Sequence, residues 1–162
     1  MRARFGHIDL LFNNAGIAVG GGMADYDPED WEDVIDVNLR GVANGVQAVY
    51  PLMIEQRSGQ IVNTASIAGL IAAPSQGSYT ASKHAVVGLT KALRVEAERF
   101  GVRASVLCPG VVRTPILVGG RFGRAKLALN ENEILRLWSG FDRWPRSCSR
   151  GARSMRFYAI EP

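Results

Sequence analysis

The sequence predicts an α/β domain organised around a parallel β-sheet. Short apolar runs of strand length alternate with segments of helical periodicity, and their order along the chain is strand, helix, strand, helix, strand. Helical connections of this length return the chain for parallel pairing, so neighbouring strands run in the same direction. With 162 residues, of which 47% are hydrophobic and 21% charged, the chain has the size and composition of one globular domain.

The first strand and the first helical region are predicted in the N-terminal third. The mostly apolar run of residues 8–12 is the expected strand, followed by residues 13–16 (NNAG) and by a glycine-rich loop over residues 17–27. Asp27 and the proline after it are suited to start a helix. Apolar residues at helical spacing then continue to about residue 56, and the glycines and the proline inside this stretch predict a break or restart.

The second half of the domain continues the same alternation. Residues 60–66 form the second predicted strand, and residues 67–78 form a loop rich in Gly, Ala, Pro and Ser. Residues 79–100 make the clearest helical pattern of the chain, and a glycine ends it. Residues 102–108 form the third predicted strand, which stops at Pro109-Gly110.

The charge and cysteine patterns argue against some classes of function. The formal net charge is +4, with acidic residues concentrated at positions 25–36 and arginines at positions 136–156. No basic stripe with interleaved aromatic residues occurs, so nucleic acid is not an expected partner. No run of 18 apolar residues occurs either, so no membrane span is predicted. Cys108 and Cys148 lie in no metal-ligand spacing and are expected to be reduced thiols of a cytoplasmic protein.

Polar side chains at the predicted strand ends indicate acid–base chemistry. In sheets of this kind, sites lie beyond the carboxyl ends of the strands. Tyr79 and Lys83 are four residues apart on a helix, so the phenol and the ammonium share one face. An ammonium beside a phenol favours the phenolate, and we therefore expect Lys83 to lower the pKa of Tyr79. Ser66, at the end of the preceding strand, is placed to hydrogen-bond a carbonyl or alcohol oxygen beside Tyr79.

Five motifs in one order carry a resemblance to a known family. They are Asn13-Asn14-Ala15-Gly16, Asn38 within Val37-Asn38-Leu39-Arg40-Gly41, Ser66 within Asn63-Thr64-Ala65-Ser66, Tyr79-Thr80-Ala81-Ser82-Lys83, and Pro109-Gly110-Val111-Val112-Arg113-Thr114. With these motifs at these spacings, the chain resembles the classical short-chain dehydrogenase/reductase family. The resemblance implies a Rossmann-like, doubly wound parallel sheet. It also implies an oxidoreductase that transfers a hydride between NAD or NADP and an alcohol or ketone.

The resemblance further implies a role for each matching residue. Tyr79 would be the catalytic acid/base, Lys83 would lower its pKa and bind the nicotinamide ribose, and Ser66 would orient the substrate oxygen. Asn38 would hold a water molecule of a proton relay at a break in its helix. The residues implied to contact the dinucleotide are Asn14, Ala15 and Gly16 on its adenosine and ribose side, and Pro109, Gly110, Val112 and Thr114 at its nicotinamide. Residues 20–22 and 115–130 would border the substrate.

Relative to the family, the sequence begins just before the fourth strand. We therefore expect an incomplete sheet in which the first βαβαβα portion is missing, together with the Gly-rich turn that cradles pyrophosphate at a helix N-terminus. Residues 1–142 are expected to form the catalytic part of the domain, and residues 143–162 an atypical Arg-rich tail. One hypothesis for the tail is a shifted reading frame, which sequencing of the gene around the codon for Asp142 would test.

Three interpretations of the function stay open. The first is an alcohol/ketone oxidoreductase that uses the Tyr-Lys-Ser-Asn set. The second is an inactive fragment or pseudoenzyme that only associates with related subunits. The third keeps the fold but performs epimerisation or dehydration. In the family, the helices corresponding to residues 28–56 and 79–100 often form a dimer interface, so the full-length form is expected to be a homodimer or tetramer.

Two other reactive side chains near the motifs are assigned no catalytic role. His84 directly follows Lys83, and consecutive residues of a helix point about 100° apart, so His84 is expected in packing contacts or in solvent. Cys108 ends the third predicted strand and is expected to act as a small buried hydrophobic residue.

Because the Gly-rich turn is missing, we expect the isolated chain to bind dinucleotide weakly or not at all, and to be poorly soluble. Isothermal titration calorimetry of the purified chain with NAD or NADP measures the affinity directly. Dissociation constants weaker than micromolar are expected, and micromolar binding would contradict the expectation.

Overall fold

The strands and helices follow the predicted alternation. The computed structural model describes residues 6–110, together with residues 112, 116, 123–125 and 158–159. The strands are β1 (Leu10–Asn13), β2 (Ala18–Gly20), β3 (Gly59–Thr64), β4 (Val102–Cys108), β5 (Gly123–Ala125) and β6 (Tyr158–Ala159). The α-helices are α1 (Pro28–Ile35), α2 (Gly41–Gln56) and α3 (Gly77–Glu98). A π-helical segment, Asp36–Arg40, joins α1 to α2, so one helical path runs from residue 28 to residue 56.

The central sheet is parallel where β1, β3 and β4 pair, which confirms the predicted α/β class. Its strand order is β1-β3-β4-β6, and β3 lies between β1 and β4 with Leu11 beside Ile61 and Ile61 beside Ala104. The two-residue strand β6 runs antiparallel to β4 at the other edge. Strands β2 and β5 form a separate two-stranded parallel sheet.

Helices α2 and α3 cover one face of the central sheet. Met53 of α2 and Leu93 of α3 pack with Ile61 of β3 in one buried cluster. In a second cluster, Val86 of α3 packs against Val106, near the carboxyl end of β4. Complete burial of an aliphatic side chain of this size stabilises a fold by about 1.5–3 kcal/mol. These contacts fix the direction of α3, so its first turns lie at the carboxyl ends of the strands.

The other face of β1 carries exposed apolar side chains. Alternate residues of a strand point to opposite faces, and Leu11 packs into the cluster under α2. Leu10 and Phe12 therefore point away from the helices, and their exposed fractions are 49% and 55%. Within the described ranges, no helix is both long enough and apolar enough to cross a membrane.

The helix break that the family resemblance implied at Asn38 is a π-bulge, whereas Gly45 and Pro51 do not interrupt α2. The amide of Gly41 donates to the carbonyl of Asp36, five residues earlier, where a regular α-helix would bond over four residues. The helical path thus continues through the bulge, and Asn38 lies at its centre. Asp27 caps α1 as predicted, with its side chain accepting a hydrogen bond of 3.1 Å from the amide of Asp30.

The prediction of a continuous loop over residues 17–27 is wrong. Ala18–Gly20 forms β2 because a partner strand, β5, comes from far along the sequence, where no local pattern could indicate it. The Tyr26 hydroxyl fixes β2 further by donating a 2.8 Å hydrogen bond to the carbonyl of Val19. The segment Met23–Asp25 forms one turn of 3-10 helix.

Other boundaries differ by about two residues from the sequence prediction. β1 ends one residue later than expected, β3 stops at Thr64, and α3 begins at Gly77. The acidic segment at residues 25–36 is not exposed throughout. Asp30 is buried, and its carboxylate lies 3.2 Å from the guanidinium of Arg124, which is itself 2.7 Å from Asp33.

Two helix glycines are expected to respond in opposite ways to alanine. A Cβ at Gly45 of α2 would overlap the carboxamide of Asn13, whereas a Cβ at Gly88 of α3 would meet no atom of the described residues within 4 Å. Alanine is favoured over glycine in a helix interior by about 1 kcal/mol, so Gly88→Ala should stabilise the chain by up to about that amount. Gly45→Ala should destabilise it by about 1–3 kcal/mol, because the overlap forces a shift in a packed contact.

Urea denaturation of both variants measures this difference, and Gly88→Ala is the matched control for helix propensity. Equal stabilisation by the two substitutions would contradict the close approach of α2 to β1.

Candidate active site

The predicted site residues meet at the carboxyl edge of the central sheet. Since β1, β3 and β4 are parallel, their carboxyl ends lie side by side. Gly16 follows β1, Ser66 follows β3, and Pro109 follows β4. The amide of Ile67 donates a 2.8 Å hydrogen bond to the Pro109 carbonyl, which ties the last two strand ends together. The first turns of α3 bring Tyr79 and Lys83 to the same edge.

Lys83 is a buried amine that is held by the main chain. Its side chain is 3% exposed, and its Nζ donates a 3.0 Å hydrogen bond to the carbonyl of Thr64 at the end of β3. The same Nζ lies 5.5 Å from the centroid of the Tyr79 ring. The predicted convergence of the amine and the phenol on one helix face is therefore observed.

Tyr79 and Ser66 form the second contact of the site. Ser66 has an extended backbone and caps a short 3-10 turn, Ile67–Gly69, with its hydroxyl accepting a 3.2 Å hydrogen bond from the amide of Ala68. The Ser66 side chain also interacts with the Tyr79 phenol and by itself would lower the pKa of that phenol. The serine hydroxyl thus lies beside the phenol, as the sequence predicted.

The pKa of Tyr79 does not follow the prediction. Burial of the phenol raises its pKa above the ordinary value, and the hydrogen bond with Ser66 opposes this only in part. The lowering expected from Lys83 does not appear: its amine lies over the ring, 5.5 Å from the centroid, and burial of the phenol dominates the pKa. In this structure Tyr79 is therefore a protonated phenol at neutral pH.

The pKa of Lys83 is itself shifted. Burial lowers it from the ordinary 10.5 to about 8, and the nearby Cys108 opposes this shift in part. Cys108 is completely buried, as expected of a small hydrophobic residue, and burial raises the pKa of its thiol. His84 is exposed, with its Nδ1 2.9 Å from the carbonyl of Thr80 on its own helix, so its assignment to solvent is confirmed.

Asn38 links the loop after β1 to the π-bulge. Its Oδ1 accepts a 2.8 Å hydrogen bond from the amide of Ile17, and its Nδ2 donates a 2.9 Å hydrogen bond to the carbonyl of the same residue. The carboxamide is completely buried. These two hydrogen bonds to the main chain of Ile17 hold the Gly16-Ile17 backbone against the site.

The residues predicted to contact dinucleotide differ in how they are placed. Gly16 lies next to the site, since a Cβ there would be 3.4 Å from both Asn38 Oδ1 and Lys83 Nζ. Asn14 and Ala15, on the same loop, are exposed. After β4, Pro109 is half-buried, while Gly110 and Val112 are exposed. Thr114 and most of residues 115–130 lie outside the described residues.

Two groups of buried polar residues, one at the site and one beneath it, were not predicted from the sequence. The completely buried Ser82 accepts a 3.0 Å hydrogen bond from Asn38 Nδ2 and donates one of 2.7 Å to the carbonyl of Tyr79. Below the site, Asn63 accepts from Asn13 at 2.8 Å and donates to Thr90 at 2.9 Å. One sequence signal could have indicated these residues: each is a polar residue inside an otherwise apolar segment, and buried polar groups need hydrogen-bond partners.

The donors around Lys83 fit a ribose. An ammonium donates three hydrogen bonds, and within the described part of the chain the Thr64 carbonyl takes one of them. Glycine at position 16 leaves the space in front of the amine open, since a side chain there would meet it. Vicinal hydroxyl groups of a dinucleotide ribose match this donor set. In residues 6–110 and the shorter described segments, no group of three His, Cys, Asp or Glu is placed to hold a metal ion.

Known proteins with similar sequences are oxidoreductases. A family model described as short chain dehydrogenase matches residues 1–121. Oxidoreductase UcpA of Salmonella typhimurium is 46% identical over 112 residues, which are 68% of this chain and 43% of UcpA. The 3-oxoacyl-acyl-carrier-protein reductase FabG of Thermotoga maritima is 43% identical over 113 residues, which are 70% of this chain and 46% of FabG.

A solved structure of a dehydrogenase is also similar to this chain. The gluconate 5-dehydrogenase of Burkholderia cenocepacia, in complex with NADP and tartrate, is similar with a TM-score of 0.69 at 39% identity. The similarity covers 74% of this chain and 48% of that one. The chain spans about half the length of the curated relatives it matches.

The buried amine of Lys83 should make the stability of the chain depend on pH. The folded chain releases the Lys83 proton near pH 8 and the unfolded chain near 10.5, so unfolding takes up a proton between these values. The free energy of unfolding of the wild type, compared with that of Lys83→Met, should therefore rise by roughly 3 kcal/mol as the pH increases across this window. Below pH 8 the difference between the two chains should not change with pH.

Urea denaturation of wild type and Lys83→Met at neutral and alkaline pH measures this pH-dependent difference in the free energy of unfolding. Lys91→Met, at an exposed position of the same helix, controls for the loss of one lysine. A stability difference between wild type and Lys83→Met that stays constant with pH would mean that the amine is not desolvated.

Proposed function

This chain belongs to the short chain dehydrogenase family, and from that premise we propose that it forms the catalytic part of an NAD(P)-dependent oxidoreductase. The substrate class is an alcohol or ketone, and Tyr79, Lys83, Ser66 and Asn38 carry the reaction. One observation supports this most strongly: the buried amine of Lys83 lies 5.5 Å from the ring centroid of the half-buried Tyr79, whose phenol also interacts with Ser66. Perturbed titratable groups that converge at one sheet edge are typical of functional sites.

Tyr79 acts as the general acid in the reducing direction. Its raised pKa keeps the phenol protonated at neutral pH, which is the form that donates a proton to a developing alkoxide. A bound NADH or NADPH supplies the hydride to the carbonyl carbon. The phenol proton passes to the carbonyl oxygen, leaving an alcohol and a tyrosinate, which solvent then reprotonates. Ser66 donates a hydrogen bond to the same oxygen and so fixes its position.

Lys83 and Asn38 prepare the site for this proton transfer. The Lys83 amine keeps donors for the ribose hydroxyls while the Thr64 carbonyl holds it in place. Asn38 holds the loop that carries Asn14, Ala15 and Gly16 along the dinucleotide, and its bulged helix provides the place for a relay water. Pro109, Gly110, Val112 and Thr114 contact the nicotinamide in this proposal.

The same premise suggests how subunits assemble. The helices at residues 28–56 and 77–98 would form the contact of a homodimer or tetramer in the cytoplasm. Val95 of α3, an apolar side chain that is 76% exposed, supports a contact on the outer surface of that helix.

A second candidate function is association without catalysis. The observation that favours it is the exposed pair Leu10 and Phe12 on β1, which is an edge strand of the described sheet. Apolar side chains beside unpaired backbone groups are suited to pairing with another polypeptide. In this case the chain would bind a related subunit and would not turn over substrate.

Turnover measurements with a panel of ketones at millimolar NADH or NADPH separate the two candidates. We expect ketone-dependent loss of the reduced-nicotinamide absorbance, and a decrease of about 10²- to 10⁴-fold in kcat for Tyr79→Phe. Tyr50→Phe is the matched control, because the buried Tyr50 hydroxyl has no hydrogen-bond partner among the described residues and lies away from the site.

Full activity of Tyr79→Phe would contradict the proposed mechanism. No turnover by the wild-type chain over the whole panel, combined with stable binding to a related subunit, would favour the second candidate.

A further inference from the structure

We infer that Ser82 is a positioning residue, whose hydroxyl sets the placement of Asn38 relative to the helical turn that carries Tyr79 and Lys83. The inference rests on the proposed function of that site and assigns a role to a residue outside the Tyr-Lys-Ser-Asn set. Ser82 makes no contact with substrate in this scheme. It acts through the groups on either side of it.

The hydroxyl of Ser82 both donates and accepts a hydrogen bond. It donates a 2.7 Å hydrogen bond to the carbonyl of Tyr79, three residues earlier on α3, and accepts a 3.0 Å hydrogen bond from Asn38 Nδ2. In an α-helix the carbonyl of Tyr79 is also the acceptor for the amide of Lys83. The serine therefore donates to the carbonyl that also links Tyr79 to Lys83 through the main-chain hydrogen bond of the helix.

The Asn38 carboxamide has no further donor to offer. Its Nδ2 gives one hydrogen to the carbonyl of Ile17 and the other to Ser82, while its Oδ1 accepts from the amide of Ile17. Both Asn38 and Ser82 are completely buried, so water cannot replace a lost bond. One hydroxyl thus joins three parts of the site: the loop after β1, the π-bulge and α3.

The same helix offers a matched comparison. Thr90 donates a 2.7 Å hydrogen bond to the carbonyl of Val86 and accepts one of 2.9 Å from Asn63 Nδ2. Its hydroxyl is buried and is arranged like that of Ser82, but it lies two turns further along α3 and does not contact the site. Ser82→Ala and Thr90→Val each leave one buried asparagine hydrogen without a partner. A purely structural role predicts similar consequences for both.

The test follows the titration of Lys83 in chains that carry 13C-labelled lysine. The Lys83 Cε signal is assigned by its absence from Lys83→Met, and its midpoint is measured by NMR in wild type, Ser82→Ala and Thr90→Val. We expect Ser82→Ala to raise the midpoint by about one pH unit, because the first turns of α3 loosen and water reaches the amine. Thr90→Val should leave it unchanged. Tyr79 and Cys108, which interact with Lys83, are present in all three chains.

Turnover gives the second readout. Ser82→Ala should lower kcat for ketone reduction about tenfold, with a smaller change in KM, while Thr90→Val keeps the wild-type kcat. Ser82→Cys, which fills a similar space with a weaker hydrogen-bonding group, replaces Ser82→Ala if that variant does not fold.

Equal midpoint shifts in both variants, or no shift in either, would overturn the inference. The titration needs neither cofactor nor turnover. Failure of the proposed function would therefore appear as missing turnover in the wild type, and failure of the Ser82 role as an unchanged Lys83 midpoint.

Discussion

The site depends on one buried interaction, the hydrogen bond from the amine of Lys83 to the carbonyl of Thr64. Placing an amine in the protein interior costs free energy, and the lowered pKa of Lys83 reflects this cost. The position is enforced by hydrophobic packing: Val86 and Val87 of α3 pack against the end of β4, so the turn just before them is held over the carboxyl ends of the strands. The fold therefore accepts an unfavourable buried amine at the place where a ribose and a phenol would need it.

Main-chain groups, instead of carboxylates, hold the polar side chains of this site. Lys83 bonds to the Thr64 carbonyl, Asn38 bonds to the amide and carbonyl of Ile17, and Ser82 bonds to the carbonyl of Tyr79. Neutral partners leave the amine available to a ligand and leave the phenol protonated. A carboxylate beside Lys83 would have stabilised the charge but would have consumed its donors.

Much of this could be predicted from the sequence, and the parts that could not share a physical reason. The strand and helix alternation and the convergence of Tyr79 with Lys83 and Ser66 follow from local spacing, whereas the helix break at Asn38 was implied by the family resemblance. Strand β2 could not be predicted because its partner β5 is about a hundred residues away in sequence. The predicted direction of the Tyr79 pKa shift was wrong. Helical spacing shows that Tyr79 and Lys83 share a helix face, but it does not show where the amine lies relative to the ring or how deeply the phenol is buried. The role inferred for Ser82 depends on a contact between residues 44 positions apart.

The most direct test of the central claim, that this edge of the sheet performs hydride chemistry with Tyr79 as the proton donor, is an isotope transfer experiment. The chain is incubated with a ketone and NADPH or NADH carrying deuterium at the transferable C4 position of the nicotinamide, and the product is examined by mass spectrometry. The claim predicts deuterium on the carbon that was the carbonyl carbon, and about 10²- to 10⁴-fold slower formation of the same labelled product by Tyr79→Phe. Product without deuterium, or labelled product formed at the same rate by both chains, would contradict it.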